Sequence, residues 1–481
     1  MLSIVTGGCI LYRRSINSWN HYLQLSLGWE ILSNCYEKER EGRNPFPFIK
    51  QQHYMETTKK YLCLLFMGLI FFSCIQEEGF KTNRQDYDPF LKTEPVKTTS
   101  KDFQVWDHQI MQDSTQLVSL GYVADEYTRF FQETGDIKHL KRAEQSLKKA
   151  VKMANVEKVE YLRALARNYI SQHRFKEALE LASQAVKIKG GVNATQNLLF
   201  DIHMELGNYG QAQMYLDSIR NQYDFGYLVR VAKWNDHEGD MQAAIRCMEM
   251  ASEKAESSKD SNQLLLSYTN LANLYGHAGR IEESYQFYLK ALQIDPKNAD
   301  AKRGIAWIVY SHERNGEEAL RILDSIIKGN KSPEYHLLKA EIASYTGDET
   351  LRIQSLDNYY KGVVQEDYGQ MYNAYNVGFY LDMDVMDRAL QLAKQEVRNR
   401  PTPETYGWLA YSLLKRGEKE QALELVENHV DGQTFEPEIL FCVAEIYKAN
   451  GHKKKVKEIK KELLGAVYEL GPLKESGIVS L

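Results

Sequence analysis

Few residues of this 481-residue chain are of types and at spacings that perform catalysis. The sequence lacks the glycine-rich phosphate and dinucleotide motifs, the nucleophile elbow and the paired-histidine zinc motif. Segments that begin at His237 and His312 have no second histidine at the spacing a zinc helix needs. Asp107 and His108 have the composition of a catalytic dyad fragment, but the sequence indicates no nucleophile beside them. We predict a protein that is not an enzyme and that has no cofactor and no metal site.

One cysteine stands in a chemically informative context. Residues 59–78 have the sequence KKYLCLLFMGLIFFSCIQEE, in which two lysines precede the thirteen-residue, mostly apolar run Tyr61–Ser73, and Cys74 follows. Because a membrane-spanning helix needs about 20 apolar residues, this run is too short to span. A basic start, a short apolar run and a small residue before the cleavage point are typical of a signal peptide. The stretch resembles a bacterial lipoprotein leader, which implies that Cys74 becomes the lipid-modified, palmitate-bearing N-terminus.

The internal position of this leader predicts the organisation of the N-terminal part. Met55 lies just upstream of the lysines, so we expect synthesis to start there. Residues 1–54 are then an upstream extension or disordered, 55–73 form the signal peptide, and 74–101 form a polar, flexible tether. Since Ile75 stands where some bacteria use aspartate to retain lipoproteins at the inner membrane, we expect an outer-membrane protein facing the periplasm or the cell surface.

Net charge and cysteine content argue against a nucleic-acid-binding protein and against a disulfide-stabilised one. The formal net charge of −5 gives no basic footprint for nucleic acid, so we predict none as a partner. Apart from Cys74, which the leader resemblance implies is acylated, only Cys247 and Cys442 remain outside the leader and the upstream extension, and they lie far apart in the sequence. We expect two buried thiols and no disulfide bond.

The rest of the chain repeats one helical unit. Its clearest copy, Ser267–Pro296, places Leu271, Ala272 and Tyr275 on a first helix and Ser284, Tyr288 and Ala291 on a second. This spacing resembles the tetratricopeptide repeat. A small or medium-sized residue of the second helix recurs every 32 to 40 residues, with one double interval of 70, at Ala143, Ala178, Ala212, Ala244, Ser284, Ala319, Ala389, Ala422 and Val456.

The resemblance implies an all-α fold, a right-handed solenoid of about nine to ten helix-turn-helix repeats in residues 102–470, followed by a C-terminal tail, 471–481. The double interval predicts a degenerate repeat between Ala319 and Ala389. A tyrosine-rich stretch overlaps it, and we interpret these rings as packing that repairs an imperfect helix pair.

In this family the first helices line a concave groove that binds a peptide or a protein partner. Superposing the repeats places nine residues, most of them polar, at its inward positions: Arg163, Arg167, Asn197, Asp201, Lys233, His237, Asn273, His277 and Trp307. We therefore predict a lipid-anchored scaffold for protein interactions. Two alternatives stay open, a nutrient-binding lipoprotein resembling the SusD-like glycan receptors and an outer-membrane assembly factor.

Overall fold

The computed structural model describes residues 79–92, 117–155, 157–188 and 190–481. Residues 1–78, including the predicted signal peptide and Cys74, lie outside the described part. The described residues from Thr82 to Leu481 belong to one compact unit. No helix in the described ranges is both long and apolar enough to cross a membrane.

Helices, and no β-strands, make up the secondary structure of the described residues. A short helix α1 (Arg84–Tyr87) continues as a 3-10 turn, Asp88–Leu91. Ten antiparallel helix pairs follow in the described chain: α2 Leu117–Thr134 with α3 Ile137–Met153, α4 Lys158–Ser171 with α5 Phe175–Ile188, α6 Val192–Glu205 with α7 Tyr209–Ser218, α8 Phe225–His237 with α9 Met241–Ser258, α10 Ser261–His277 with α11 Ile281–Ile294, α12 Ala299–Trp307 with α13 Gly316–Ile327, α14 Glu334–Thr346 with α15 Glu349–Gln365, α16 Asn373–Asp382 with α17 Met386–Asn399, α18 Pro403–Lys415 with α19 Lys419–His429, and α20 Pro437–Ala449 with α21 Lys453–Gly465.

Two local signals define these pairs. Glycine with positive φ ends the first helix at Gly135, Gly239 and Gly347, and the aspartate that follows each glycine caps the second helix by accepting a backbone N–H. The recurring small residues of the second helices, from Ala143 to Ala422, all have no exposed surface. Small side chains at these positions let the paired helices approach closely. The predicted solenoid and its repeat spacing are confirmed.

The pair α14 and α15 is the degenerate repeat, and the tyrosine-rich stretch stabilises it as predicted. Tyr359, Tyr368 and Tyr372 are buried and form edge-to-face ring contacts. The same cluster also packs against Ile137 and Leu140 of α3, more than two hundred residues earlier. The rings therefore join distant repeats as well as adjacent helices.

That contact belongs to a longer boundary, which we call the seam. Here the turns inside the first five pairs lie against the junctions that follow the sixth to the tenth pairs. Lys331 N donates to Thr134 O at 2.7 Å, and Asn399 Nδ2 donates to His173 O at 3.3 Å. The first side of the seam comprises 134–136, 173–176, 205–207, 239 and 276–277, and the second comprises 330–332, 366–368, 398–401, 435 and 468–469. Successive superhelical turns of the solenoid thus contact one another directly.

Part of the predicted flexible tether is folded, so that prediction is wrong for Arg84–Leu91. Tyr87 is 1% exposed, and its hydroxyl donates to Glu318 Oε1 at 2.8 Å. Arg321 Nη2 pairs with Asp88 Oδ1 at 2.5 Å. The Tyr285 hydroxyl also donates to Asn83 O at 3.1 Å. A buried ring, paired charges and hydrogen bonds together dock a polar segment whose composition alone predicted a spacer.

The residues predicted as a C-terminal tail also pack against the repeats. After the last pair, the C-terminal segment, 467–481, forms α22 (Val467–Leu470), a 3-10 turn (Pro472–Lys474) and α23 (Glu475–Ser480). Ile478 has no exposed surface and joins a cluster with Ala444 and Leu463. The segment is therefore the closing cap of the solenoid.

Candidate functional site

The first helices of neighbouring pairs lie side by side, and we call the surface they form the inner face. Along α6 and α8 this face carries ion pairs between consecutive repeats. Arg230 Nη2 contacts Asp201 Oδ2 at 2.5 Å, and Lys233 Nζ contacts Glu205 Oε1 at 2.9 Å. Arg400, across the seam, reaches the other oxygen of Glu205 at 3.4 Å. Asp201 and Lys233, predicted for partner binding, therefore have partners within the chain.

Arg163 is a structural residue rather than an open groove residue. It is 6% exposed, and its Nη1 donates to Gly190 O and Thr195 Oγ1, both at 3.2 Å. Its Nη2 donates to Glu160 Oε1 at 2.9 Å. These bonds fix the junction between α5 and α6. Sequence spacing placed this side chain on the correct helix but could not show that the next junction folds over it.

Arg167, one turn further along α4, differs from Arg163. It is partly exposed, and its guanidinium makes no hydrogen bond or ion pair with any described residue. Burial lowers the pKa of Arg167, and the nearby cations Arg163 and Arg230 lower it further. The carboxylates of Asp201 and Asp125 act in the opposite direction.

Asn197 and His237 occupy the next inward positions. The amide oxygen of Asn197 is buried and accepts no hydrogen bond from the described residues. The His237 ring lies against Tyr209, with 4.0 Å between ring centroids, and burial lowers its pKa. His237 is therefore neutral near pH 7 and is held by aromatic contact.

The remaining three predicted residues lie on α10 and α12. Asn273 accepts a hydrogen bond from the Tyr288 hydroxyl at 2.6 Å. His277 Nδ1 lies 2.9 Å from Glu469 Oε2, and Trp307 Nε1 donates to Tyr468 O at 3.0 Å. The C-terminal segment therefore lies on the inner face at the place predicted for a partner. Within the described ranges, no three potential ligands come together as a metal site would require.

Sequence analysis missed Glu205, Arg230 and Arg400, which hold the inner face together, and Tyr468 and Glu469, which cover part of it. Arg230 lies one helical turn before Lys233, a spacing that places both on one face of α8. No local pattern points to Arg400 or to the C-terminal residues, because their contacts lie across the seam.

The two cysteines are not joined. Cys247 is half buried, Cys442 is 2% exposed, and both are free thiols in the described chain. The prediction that they form no disulfide is confirmed, while full burial holds for Cys442 only.

Comparison with known families agrees with the helix-pair geometry. Residues 268–342 match the family model of the tetratricopeptide repeat, and this stretch runs from within α10 to within α14. The chain therefore contains tetratricopeptide repeats. Its repeats bury one small residue per second helix throughout the solenoid, beyond the matched residues.

Three solved structures are similar to this chain at low identity. The PilF protein of Pseudomonas aeruginosa is 13% identical, with 45% of this chain and 97% of that chain covered and a TM-score of 0.33. A tetratricopeptide repeat protein of Parabacteroides merdae is 16% identical, with 49% and 93% covered and a TM-score of 0.35. Yeast Tom70 is 14% identical, with 74% and 85% covered and a TM-score of 0.33. No curated protein matches the sequence.

Proposed function

We propose that this chain is a non-catalytic scaffold of the cell envelope, anchored by a lipid on Cys74, that binds a protein partner through its inner face. The observation that carries the proposal is Arg167. Its guanidinium is partly exposed and has no hydrogen-bond or ion-pair partner among the described residues, whereas Arg163 and Arg230 on the same face are bonded.

The chemistry around Arg167 indicates what it binds. Arg163 and Arg230 surround Arg167 with positive charge, and Arg163 is bonded to carbonyl and hydroxyl oxygens, while Arg230 is paired with Asp201. An incoming carboxylate relieves this repulsion and forms a charge-assisted, bidentate bond with Arg167. An extended peptide with an acidic side chain satisfies Arg167.

The first test is capture of partners from detergent-solubilised native membranes. We expect Arg167→Glu to lose at least about tenfold of the captured partner, since a charge-assisted bond contributes about 1.5 to 3 kcal/mol and reversal adds repulsion. The matched control is Lys187→Glu, which makes the same charge change on the exposed side of α5 in the same repeat. Equal capture by both variants would show that the inner face near Arg167 is not the binding surface.

The lipid anchor has its own test, on a residue outside the described part of the chain. We expect Cys74→Ala to remove the protein from the washed membrane fraction, because the acyl chains supply about 0.8 kcal/mol of membrane affinity per buried CH2. Cys247→Ala, the same substitution away from the leader, should leave fractionation unchanged. Membrane association of the Cys74→Ala variant after a high-salt wash would contradict the anchor.

A further inference from the structure

A small cavity of about 80 Å³ lies on the inner face of the last three pairs, between α16, α18 and α20. We call it the C-terminal pocket. Three aromatic residues line it, Trp408 and Tyr411 on α18 and Phe441 on α20. Asp382, at the end of α16, and Glu438, in the first turn of α20, add two carboxylates. Aromatic faces beside carboxylates are the groups that recognise an organic cation.

Both carboxylates are without a direct partner in the described chain. Neither Asp382 nor Glu438 makes a hydrogen bond or an ion pair with a described residue, whereas Glu445, one helical turn from Phe441, bonds both Tyr411 and Lys415. Gly378 keeps the space open, since a Cβ there would have only Trp408 nearby, at 3.9 Å. The pocket thus combines free acceptors, ring faces and room for a side chain.

The chain itself supplies a cation to the lining of this pocket. Lys474 of the C-terminal segment has its Nζ 5.6 Å from the Phe441 ring centroid. Burial alone would lower the pKa of Lys474, but Glu438, Asp382 and Glu341 outweigh it and raise that pKa. More than a third of the residue stays exposed, and its ammonium forms no direct ion pair in the described chain. Lys474 is therefore attracted to the pocket without filling it.

The position of Lys474 depends on a segment held by a few contacts. Trp307 Nε1 and Ser311 Oγ donate to Tyr468 O at 3.0 and 2.6 Å. Gly471 follows with φ +77°, and a Cβ there would lie 2.7 Å from Glu341 Oε1. These contacts orient the 3-10 turn that carries Lys474 toward the pocket.

We propose that the C-terminal pocket binds a lysine or arginine side chain on an extended segment of the protein partner, and that Lys474 is an internal competitor for this site. The inference rests on the proposed function, because it assigns a second contact to the same partner-binding inner face. An acidic side chain of the partner would bind at Arg167 and a basic one at the C-terminal pocket, so the two sites together select a segment with both charges.

The experiment measures binding of fluorescein-labelled tetralysine amide to the full chain by anisotropy, with tetraglutamate amide as the comparison probe. Lys474→Met keeps the apolar stem and removes the competing cation, so its Kd for tetralysine should be at least about tenfold lower than that of the wild type. Lys457→Met, an exposed lysine of α21, makes the same change in net charge and should leave the Kd unchanged.

A second pair of variants places the binding in the pocket. In the Lys474→Met background, Asp382→Asn with Glu438→Gln should abolish the gain, and Trp408→Leu should reduce it. Thermal melts show that each variant is folded. The proposal is overturned if Lys474→Met binds no more tightly than Lys457→Met, or if the gain survives removal of both carboxylates. Because the probe needs no native partner, failure here is distinguishable from failure of the Arg167 capture experiment.

Discussion

Gly135→Ala should strongly destabilise the protein and expand it in solution. Gly135 has φ +64°, and a Cβ there would lie 2.6 Å from the backbone nitrogen of Ser332 and would overlap the side chains of Ser332 and Asn330. Left-handed backbone at a residue with a side chain costs roughly 1–2 kcal/mol, and overpacking costs about 1–3 kcal/mol more. Denaturant titration and small-angle X-ray scattering measure the two effects.

Gly279→Ala separates backbone strain from contact across the seam. Gly279 occupies the corresponding turn of the fifth pair with φ +75°, and a Cβ there would meet nothing within 4 Å. We expect this variant to lose only the left-handed strain energy and to keep its radius of gyration. If Gly135→Ala and Gly279→Ala lose the same stability and neither expands, the seam contributes no cohesion at Gly135.

Glu144→Ala should lower the free energy of unfolding by about 1–3 kcal/mol, because Gln172 and Arg174 lose a buried carboxylate that accepts their hydrogen bonds. Glu144 is 6% exposed, and it accepts hydrogen bonds from Arg174 and Gln172, each at 2.9 Å, while Lys148 pairs with it at 2.5 Å. These bonds join the first pair to the second. Glu177→Ala is the matched control, since Glu177 is exposed and also bonds Arg174, and its removal should cost only about 0.2–1 kcal/mol. Similar losses in both variants would contradict the assigned role of Glu144.

The same carboxylate gives a pH dependence of defined sign. Burial alone would raise the pKa of Glu144, but bonds from Lys148, Gln172 and Arg174 outweigh it and bring that pKa to about 2, below the ordinary 4.5. As the pH falls, Glu144 therefore takes up a proton in the unfolded chain before it does so in the folded protein. The contribution of ionised Glu144 to the free energy of unfolding is complete above about pH 4.5 and is lost toward pH 2. The difference in stability between wild type and Glu144→Gln should shrink across that window. A difference that stays constant from pH 6 to pH 3 would contradict the assignment.

The repeats were predictable from sequence because their information is local. A buried alanine and a Gly-Asp turn recur at nearly constant spacing, and each acts within one helix pair. The seam was not predictable, since Thr134 and Lys331 carry no mark that they meet. Arg163 shows the same limit at the scale of one residue, because spacing identifies its helix face but does not identify the junction that buries it. Tyr87 and the C-terminal segment were assigned to a tether and a tail because composition does not show where a single buried ring docks.

The candidate site was likewise predictable from sequence only in part. Of the nine predicted groove residues, Arg167 and Asn197 retain unsatisfied polar groups toward the described chain, while His277 and Trp307 contact the C-terminal segment. Partner binding by these residues stays a prediction that the experiments above address.

The seam also affects how the chain is made. Open solenoids fold by adding each repeat to its neighbour, but here the turn at Thr134 stays uncovered until Lys331 and the residues around it have left the ribosome, 197 positions later. At ordinary rates of synthesis that interval is about 10 to 40 s. During that interval the first side of the seam is exposed on the early repeats. A second nascent chain can then contact it in place of the residues that form the second side. The order of synthesis therefore leaves the first side of the seam open to other chains during that interval.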